Sequence, residues 1–143
     1  MNAFVTGMYS AAKTENENII VSISPMADIE TDMNTHFADV KLWSKDSGYC
    51  DWIIPQVYYG MKNETMPYKK VVNKWCKLVT KENVKLIIGL ASYKCVEEDL
   101  HAGSGKSEWQ NDEGILKKQL QYLRKRIVMV PLFLKNGKIS WKK

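Results

Sequence analysis

Short β-branched apolar runs alternate with amphipathic stretches along this chain, and that alternation restricts its fold more than any other feature. Residues 19–25, Ile-Ile-Val-Ser-Ile-Ser-Pro, form a compact run closed by proline and read as a buried strand. Residues 50–59 and 84–93 are two further runs of this kind, and 127–134 would be a fourth. The segments between them have helical spacing. Phe4, Met8 and Ala11 with Ala12 mark an amphipathic helix over 2–14. Phe37, Val40, Leu42 and Trp43 suggest a second helix that stops near Gly48. Residues 66–81 carry Val71, Val72, Trp75, Leu78 and Val79 on one broad face, and 112–126 turn Ile115, Leu116, Leu120 and Leu123 inward. The polar, glycine-containing stretch 97–111 reads as a loop, and Lys135-Asn136-Gly137-Lys138 as a hairpin turn, because Asn-Gly suits its positive φ angles. A crossover helix is what carries a chain back to start a parallel neighbour, so this order predicts an α/β fold with a parallel sheet. Continuous apolar strands agree, since both faces of such a sheet are covered.

Composition removes several function classes. No run of about 18 apolar residues is present, so no membrane span is expected. The first residues lack the basic start and apolar core of a secretion signal. Cys50, Cys76 and Cys95 leave one cysteine over in any pairing, against a disulfide scaffold or zinc knuckle. The net charge of +5 is unevenly spread: residues 1–113 hold 12 Lys/Arg against 16 Asp/Glu, while 114–143 hold nine Lys/Arg and no acid. Basicity confined to a tail is unlike the interleaved basic and aromatic face that binds nucleic acid, so no nucleic-acid partner is expected. No glycine-rich turn opens a helix after the first strand, and no cofactor is predicted.

Most local motifs have ordinary explanations. Gly103-Ser104-Gly105-Lys106-Ser107 superficially matches a phosphate loop, but Leu100 stands where the pattern needs its first glycine, and a flexible loop is the plainer reading. His36 and His101 lie far apart with no partner at metal spacing, so both are expected at the surface and no metal site is predicted. Asn63-Glu64-Thr65 satisfies the glycosylation sequon, as many chance triplets do.

Residues 51–60, Asp-Trp-Ile-Ile-Pro-Gln-Val-Tyr-Tyr-Gly, are more specific. Strand alternation places Trp52, Ile54, Gln56 and Tyr58 on one face and Ile53, Pro55, Val57 and Tyr59 on the other. A glutamine against an apolar helix layer would lose hydrogen bonds at a cost of roughly 1–3 kcal/mol. Gln56 is therefore predicted to point into a barrel interior near the carboxyl end of its strand, where parallel α/β folds place ligands. An amide flanked by Tyr58 and Tyr59 offers hydrogen bonds and an apolar platform, as a sugar ring requires. Tyr93 and Lys94 end the third strand, and Asp28 and Glu30 follow the first as rim acids that could serve acid/base chemistry.

Taken together these strand ends resemble glycosyl-hydrolase-like family 10, bacterial TIM-barrel proteins. The stretches that carry the resemblance are Ile23-Ser24-Pro25, Ala38-Asp39-Val40-Lys41-Leu42-Trp43, Gly48-Tyr49-Cys50-Asp51-Trp52-Ile53-Ile54-Pro55-Gln56-Val57-Tyr58-Tyr59-Gly60, Ile88-Gly89-Leu90-Ala91-Ser92-Tyr93-Lys94, Glu108-Trp109 and Ile115-Leu116-Lys117-Lys118-Gln119-Leu120-Gln121-Tyr122. They occur in family order over roughly 2–126. The resemblance implies a partial (β/α)8 barrel, namely the carboxyl-terminal half with strands five to seven or eight, since a whole barrel needs about 250 residues. It also implies that an acidic Asp-Asp-Tyr motif at the end of strand four lies outside this chain. The implied function is a fragment of a glycoside hydrolase acting on bacterial polysaccharide such as cell-wall glycan, exported or at the cell surface, and inactive alone. Gln56, Tyr58, Tyr59, Tyr93, Lys94 and Trp109 would line sugar subsites, with Asp28 or Glu30 as the acids. A non-catalytic half-barrel with a structural or carbohydrate-binding role is the alternative. Open strand edges and an apolar concave face predict self-association or pairing with the missing amino-terminal half-barrel. Beyond Arg126 the resemblance stops, dividing the chain into 1–126 and an atypical basic tail, 127–143, where Pro131 interrupts the expected eighth strand. A shifted reading frame near Arg126 would account for that break.

Overall fold

In a computed structural model, residues 1–80 and 82–125 are described in full, with the backbone of 133–135 and 138–140. The elements are α1 (Asn2–Glu15), β1 (Ser22–Ile23), α2 (Ile29–Asn34), α3 (Val40–Trp43), β2 (Trp52–Ile53), α4 (Tyr68–Leu78), β3 (Lys85–Leu86), α5 (Glu108–Asn111), α6 (Ile115–Arg124), β4 (Phe133–Lys135) and β5 (Lys138–Ser140). Strands β1, β2 and β3 form a sheet in that order, and both pairings are parallel, with Ser22 opposite Trp52 and Trp52 opposite Lys85. The expected α/β fold is thus present as a three-stranded parallel sheet with helices between the strands. Of the expected fourth strand, residues 127–132 lie outside the described residues. Phe133–Lys135 instead pairs antiparallel with Lys138–Ser140, with Lys135 opposite Lys138, the spacing that a two-residue hairpin connection requires.

Strands β1 and β2 are shorter than their apolar runs because Pro25 and Pro55 interrupt them. Ladder bonds nevertheless continue: Ile54 donates to the Ile23 carbonyl at 2.8 Å, Gln56 to Pro25 at 3.0 Å, and Gly89 to Pro55 at 3.0 Å. A residue at 25 with an amide would next donate to the Ile54 carbonyl. Pro25 has none, and the Ser24 hydroxyl takes that carbonyl instead at 3.0 Å.

Alternation along the sheet sorts its faces as expected. Ile53 and Val57 on β2 and its extension, and Leu86, Ile88 and Leu90 on β3 and its extension, pack into the main core with Val71, Val72 and Trp75 of α4. Trp75 is fully buried and its indole N–H donates to the Ala27 carbonyl at 2.8 Å, tying α4 to the end of β1.

Three helical expectations need correction. On α1 only Val5 is buried, while Phe4 and Met8 are 66% and 53% exposed, so its apolar stripe lies on the outside. The helix expected to include Phe37 is α3, which begins only at Val40, where the Asp39 carboxylate caps the Leu42 amide at 3.1 Å; Phe37 lies ahead of it at φ 53° and points to solvent. Within the expected loop 97–111, residues Gly103–Gly105 form a 3-10 turn and Glu108–Asn111 a short helix. On α6 the core-facing set includes Gln119, fully buried with its amide donated to the Tyr59 carbonyl at 3.0 Å.

Candidate functional site at the carboxyl end of the sheet

Beyond the last regular strand residues, Gln56 bridges Met26 on one side and Gly89 on the other, so three chain segments meet at this end of the sheet. The Gln56 side chain stays on the face away from the α4 core. Its Nε2 donates to the Ser24 carbonyl at 3.2 Å and reaches the Ser24 hydroxyl at 3.4 Å, which fixes the amide across two strands. Glycine at 89 keeps this corner open: a methyl there would meet the Pro55 carbonyl at 3.1 Å and the Tyr58 ring at 3.5 Å.

Tyr58 and Tyr93 come together. Their ring centroids are 5.9 Å apart at 89°, an edge-to-face pair. Tyr58 is half-buried, and burial followed by the neighbouring Tyr93 raises its phenol pKa; Tyr93 is 62% exposed. Gln56, Tyr58 and Tyr93 therefore lie at one end of the sheet, with Tyr93 on a 3-10 turn, Ser92–Lys94, where the sequence reading expected the end of the third strand.

The other candidates divide from them. Tyr59 packs against the main core, and burial, then Asp28 and Asp99, raise its pKa. Lys94 is spoken for: its ammonium lies 2.8 Å from the carboxylate of buried Asp99. Trp109, expected to face a sugar, is 1% exposed among Ala91 and Ile115 with Tyr58 packed against the group. A ring so enclosed supports the tyrosine from beneath and presents no stacking surface, because its face is already filled by side chains.

The two rim acids do structural work. Asp28 caps α2, accepting from the Glu30 amide at 3.4 Å and the Thr31 hydroxyl at 2.9 Å. Glu30 pairs with Lys41 at 2.9 Å on the outer surface. The unusual acid here is Asp32, one helical turn after Asp28 and 2% exposed. One of its oxygens accepts the Met26 amide at 3.2 Å, and the other has no hydrogen-bond partner among the described residues. Burial pushes its carboxyl pKa up against the pull of the Met26 amide. The Asp28-to-Asp32 spacing was the available signal, since it returns the second acid beneath the capped turn.

The glycine-serine segment is packed, which corrects the flexible-loop expectation. A methyl on Gly105 would stand 2.4 Å from the Lys62 carbonyl, and one on Gly103 would stand 2.1 Å from a Glu64 carboxylate oxygen. Its amides are consumed internally: Ser104 donates to Glu64 at 2.8 Å, Gly105 to Ala102 and Lys106 to Gly103. None of these three is left for a phosphate. Asn63 of the sequon is buried, its side-chain oxygen accepting the Met66 amide at 2.8 Å, and both histidines are exposed. Burial, aided by Asp51, pushes the Cys50 thiol up to about 12, so it is no nucleophile. Among the described residues no group of three His, Cys, Asp or Glu is placed to hold a metal, and no helix is long and apolar enough to cross a membrane.

Comparison with known proteins places this geometry in context. The family model Glycosyl hydrolase-like 10 matches residues 1–104. Glycosyl hydrolase DigH of Escherichia coli (strain K12) is 30% identical over 86 residues, 59% of this chain and 18% of the relative. The proteins of the same name from Escherichia coli O157:H7 and Shigella flexneri match with the same identity and coverage. The matched segment thus spans 18% of the length of these curated relatives. No solved structure gives a significant match.

Proposed function

Because this chain belongs to the glycosyl hydrolase-like 10 family, we propose that it supplies one glycan-binding wall of a glycoside hydrolase barrel. The observation that carries this reading is the Tyr58–Tyr93 pair beside Gln56 at the carboxyl end of a parallel sheet. Exposed Tyr93 offers a ring face for the apolar side of a sugar, and the Gln56 amide offers hydrogen bonds at its edge. The substrate on this reading is a bacterial polysaccharide such as cell-wall glycan.

Hydrolysis of a glycosidic bond ordinarily takes two carboxyl groups flanking it, at about 5–5.5 Å or 6.5–9.5 Å from each other. Asp28 is engaged in capping and Glu30 in an outer ion pair, which supports catalytic acids supplied by the rest of the barrel. The side of the sheet beyond β1, uncovered among the described residues, supports the same half-barrel reading. Ile20, Ser22 and Ser24 are exposed along the β1 edge, and Phe4 and Met8 face outward from α1. An edge strand beside an apolar helix face is what a further strand–helix unit of the barrel would cover. The same engagement of Asp28 and Glu30 favours a second reading in which the chain binds carbohydrate without catalysis.

Titration with N,N′-diacetylchitobiose, followed by NMR of the tyrosine ring protons, tests the wall. Tyr58 and Tyr93 signals are expected to shift saturably in the millimolar range, and Tyr58→Ala to weaken binding about tenfold. Unmoved tyrosine signals with every glycan tried would defeat the reading. No turnover is expected from the chain alone, and measurable glycan cleavage would place the acids within it.

A further inference from the structure

Glu108 is a further buried acid, next to Trp109 in a stretch that carries the family resemblance. It is 9% exposed, and one of its oxygens accepts the Lys62 amide at 2.8 Å. It lines a cavity of about 400 Å³ with Lys62, Ser104, Ser107 and Asn111, closed on one side by the Asp112–Lys118 ion pair. That volume falls in the range of small-ligand sites. The cavity opens among the loops that follow β2 and β3, the end of a parallel sheet where ligands bind.

The walls are fixed in advance. Glu108 holds the Lys62 amide, Glu64 holds that of Ser104, and the Glu64 amide donates to Ala102 at 3.1 Å, so the two loops are stitched together. Gly60 and Gly105 let them approach: a methyl on Gly60 would stand 2.3 Å from a Glu108 oxygen and 3.4 Å from the Trp109 indole nitrogen. That indole N–H is itself buried with no hydrogen-bond partner among the described residues.

We infer that this cavity is a second saccharide subsite, continuing a glycan strand from the Tyr58–Tyr93 platform past Gly60 to Glu108. Its lining balances two lysines against two carboxylates and adds two hydroxyls and an amide, so it offers donors and acceptors with no net charge. A sugar ring, whose hydroxyls both donate and accept, matches that lining. An inorganic anion does not, because Glu108 and Asp112 would repel it and the Lys62, Ser104, Gly105 and Lys106 amides are spent. The second oxygen of Glu108 is the acceptor that would take a sugar hydroxyl. The inference rests on the glycan-binding reading of the platform but concerns separate residues.

The same titration separates the two when followed in ¹H–¹⁵N spectra. N,N′-diacetylchitobiose is expected to shift the Lys62 and Ser104 amides and the Trp109 indole N–H saturably, with Trp109→Phe assigning the indole signal. Glu108→Gln should weaken these shifts at least tenfold while keeping the dispersion of a folded chain. Asn111→Ala, an exposed position, should weaken them severalfold and serves if the Glu108 variant unfolds. Tyr58→Ala should leave them saturable. Tyrosine shifts without movement of Lys62, Ser104 and Trp109 would overturn the subsite and leave the platform standing. Equal response to inorganic phosphate would overturn it as well, by showing an anion site.

Discussion

Helices α1 and α4 both read as amphipathic in the sequence, α4 more strongly, and they meet different fates. In α4, Tyr68, Val71, Val72 and Trp75 are buried, and the Trp75 indole is hydrogen-bonded to Ala27. In α1 only Val5 is buried, and Phe4 and Met8 face solvent. What holds α1 is polar. Tyr9 donates to one Asp51 oxygen at 3.0 Å, Lys13 and the Val21 amide reach the other at 2.9 and 2.8 Å, and the Trp43 indole donates to Asn2 at 2.9 Å. Periodicity tells which side of a helix is apolar, but the number of neighbouring elements decides whether that side is covered. Helix α4 crosses between paired strands, whereas α1 leads into the edge strand.

Truncating the α4 anchor should have the largest effect. Trp75→Ala is expected to cost about 3–5 kcal/mol, read from the urea midpoint, because it empties a core site and strands the Ala27 carbonyl. A cost below about 1 kcal/mol would mean that α4 is no better anchored than α1. Next comes the polar clamp of α1. Asp51→Asn should cost roughly 1–2 kcal/mol by the same measurement, since all three of its contacts lose a charged acceptor.

The clamp should also respond to acid. Burial alone would raise the Asp51 pKa, but hydrogen bonds from Lys13, the Val21 amide and Tyr9 outweigh it and hold the carboxyl below its ordinary value. A carboxyl depressed in the folded state contributes stability that is fully present above its unfolded value near 3.9. That contribution is lost as pH falls through the lower, folded value. Between about pH 5 and pH 2 the unsubstituted chain should therefore lose more stability than Asp51→Asn, and parallel curves would remove Asp51 from the account. The smallest effect is expected on the outer face of α1. Phe4→Ser with Met8→Ser should change stability by no more than about 0.5 kcal/mol per site, as for exposed positions generally. A loss of several kcal/mol would show that face to be covered in solution; loss of self-association in sedimentation would show by what.

Much of the sheet was legible along the chain. The three apolar runs became three parallel strands, and the period of two on residues 52–58 correctly sent Ile53 and Val57 to the core and Gln56 and Tyr58 away from it. The meeting of Tyr93 with Tyr58 did not follow from that rule, because Tyr93 lies on a 3-10 turn, Ser92–Lys94, beyond the strand. Nor did the roles of Lys94 and Trp109, because Asp99 and the Ala91–Ile115 cluster that claim them lie in other parts of the chain or in loops without periodicity. Asp32 and Glu108 were hidden for a related reason: an acid in a polar stretch reads as solvated until its burial is known.

Local chemistry determined the elements of this protein. β-branched runs made strands, prolines cut their ladders short, Asp28 and Asp39 capped helices, and alternation assigned each strand residue to a face. These follow from backbone sterics and from hydrogen bonds between residues a few positions apart. Tertiary structure alone decided which apolar faces were covered and which acids were buried. Those outcomes depend on groups far apart in sequence, as Lys62 with Glu108 and Tyr9 with Asp51 show, and no local pattern encodes such a meeting.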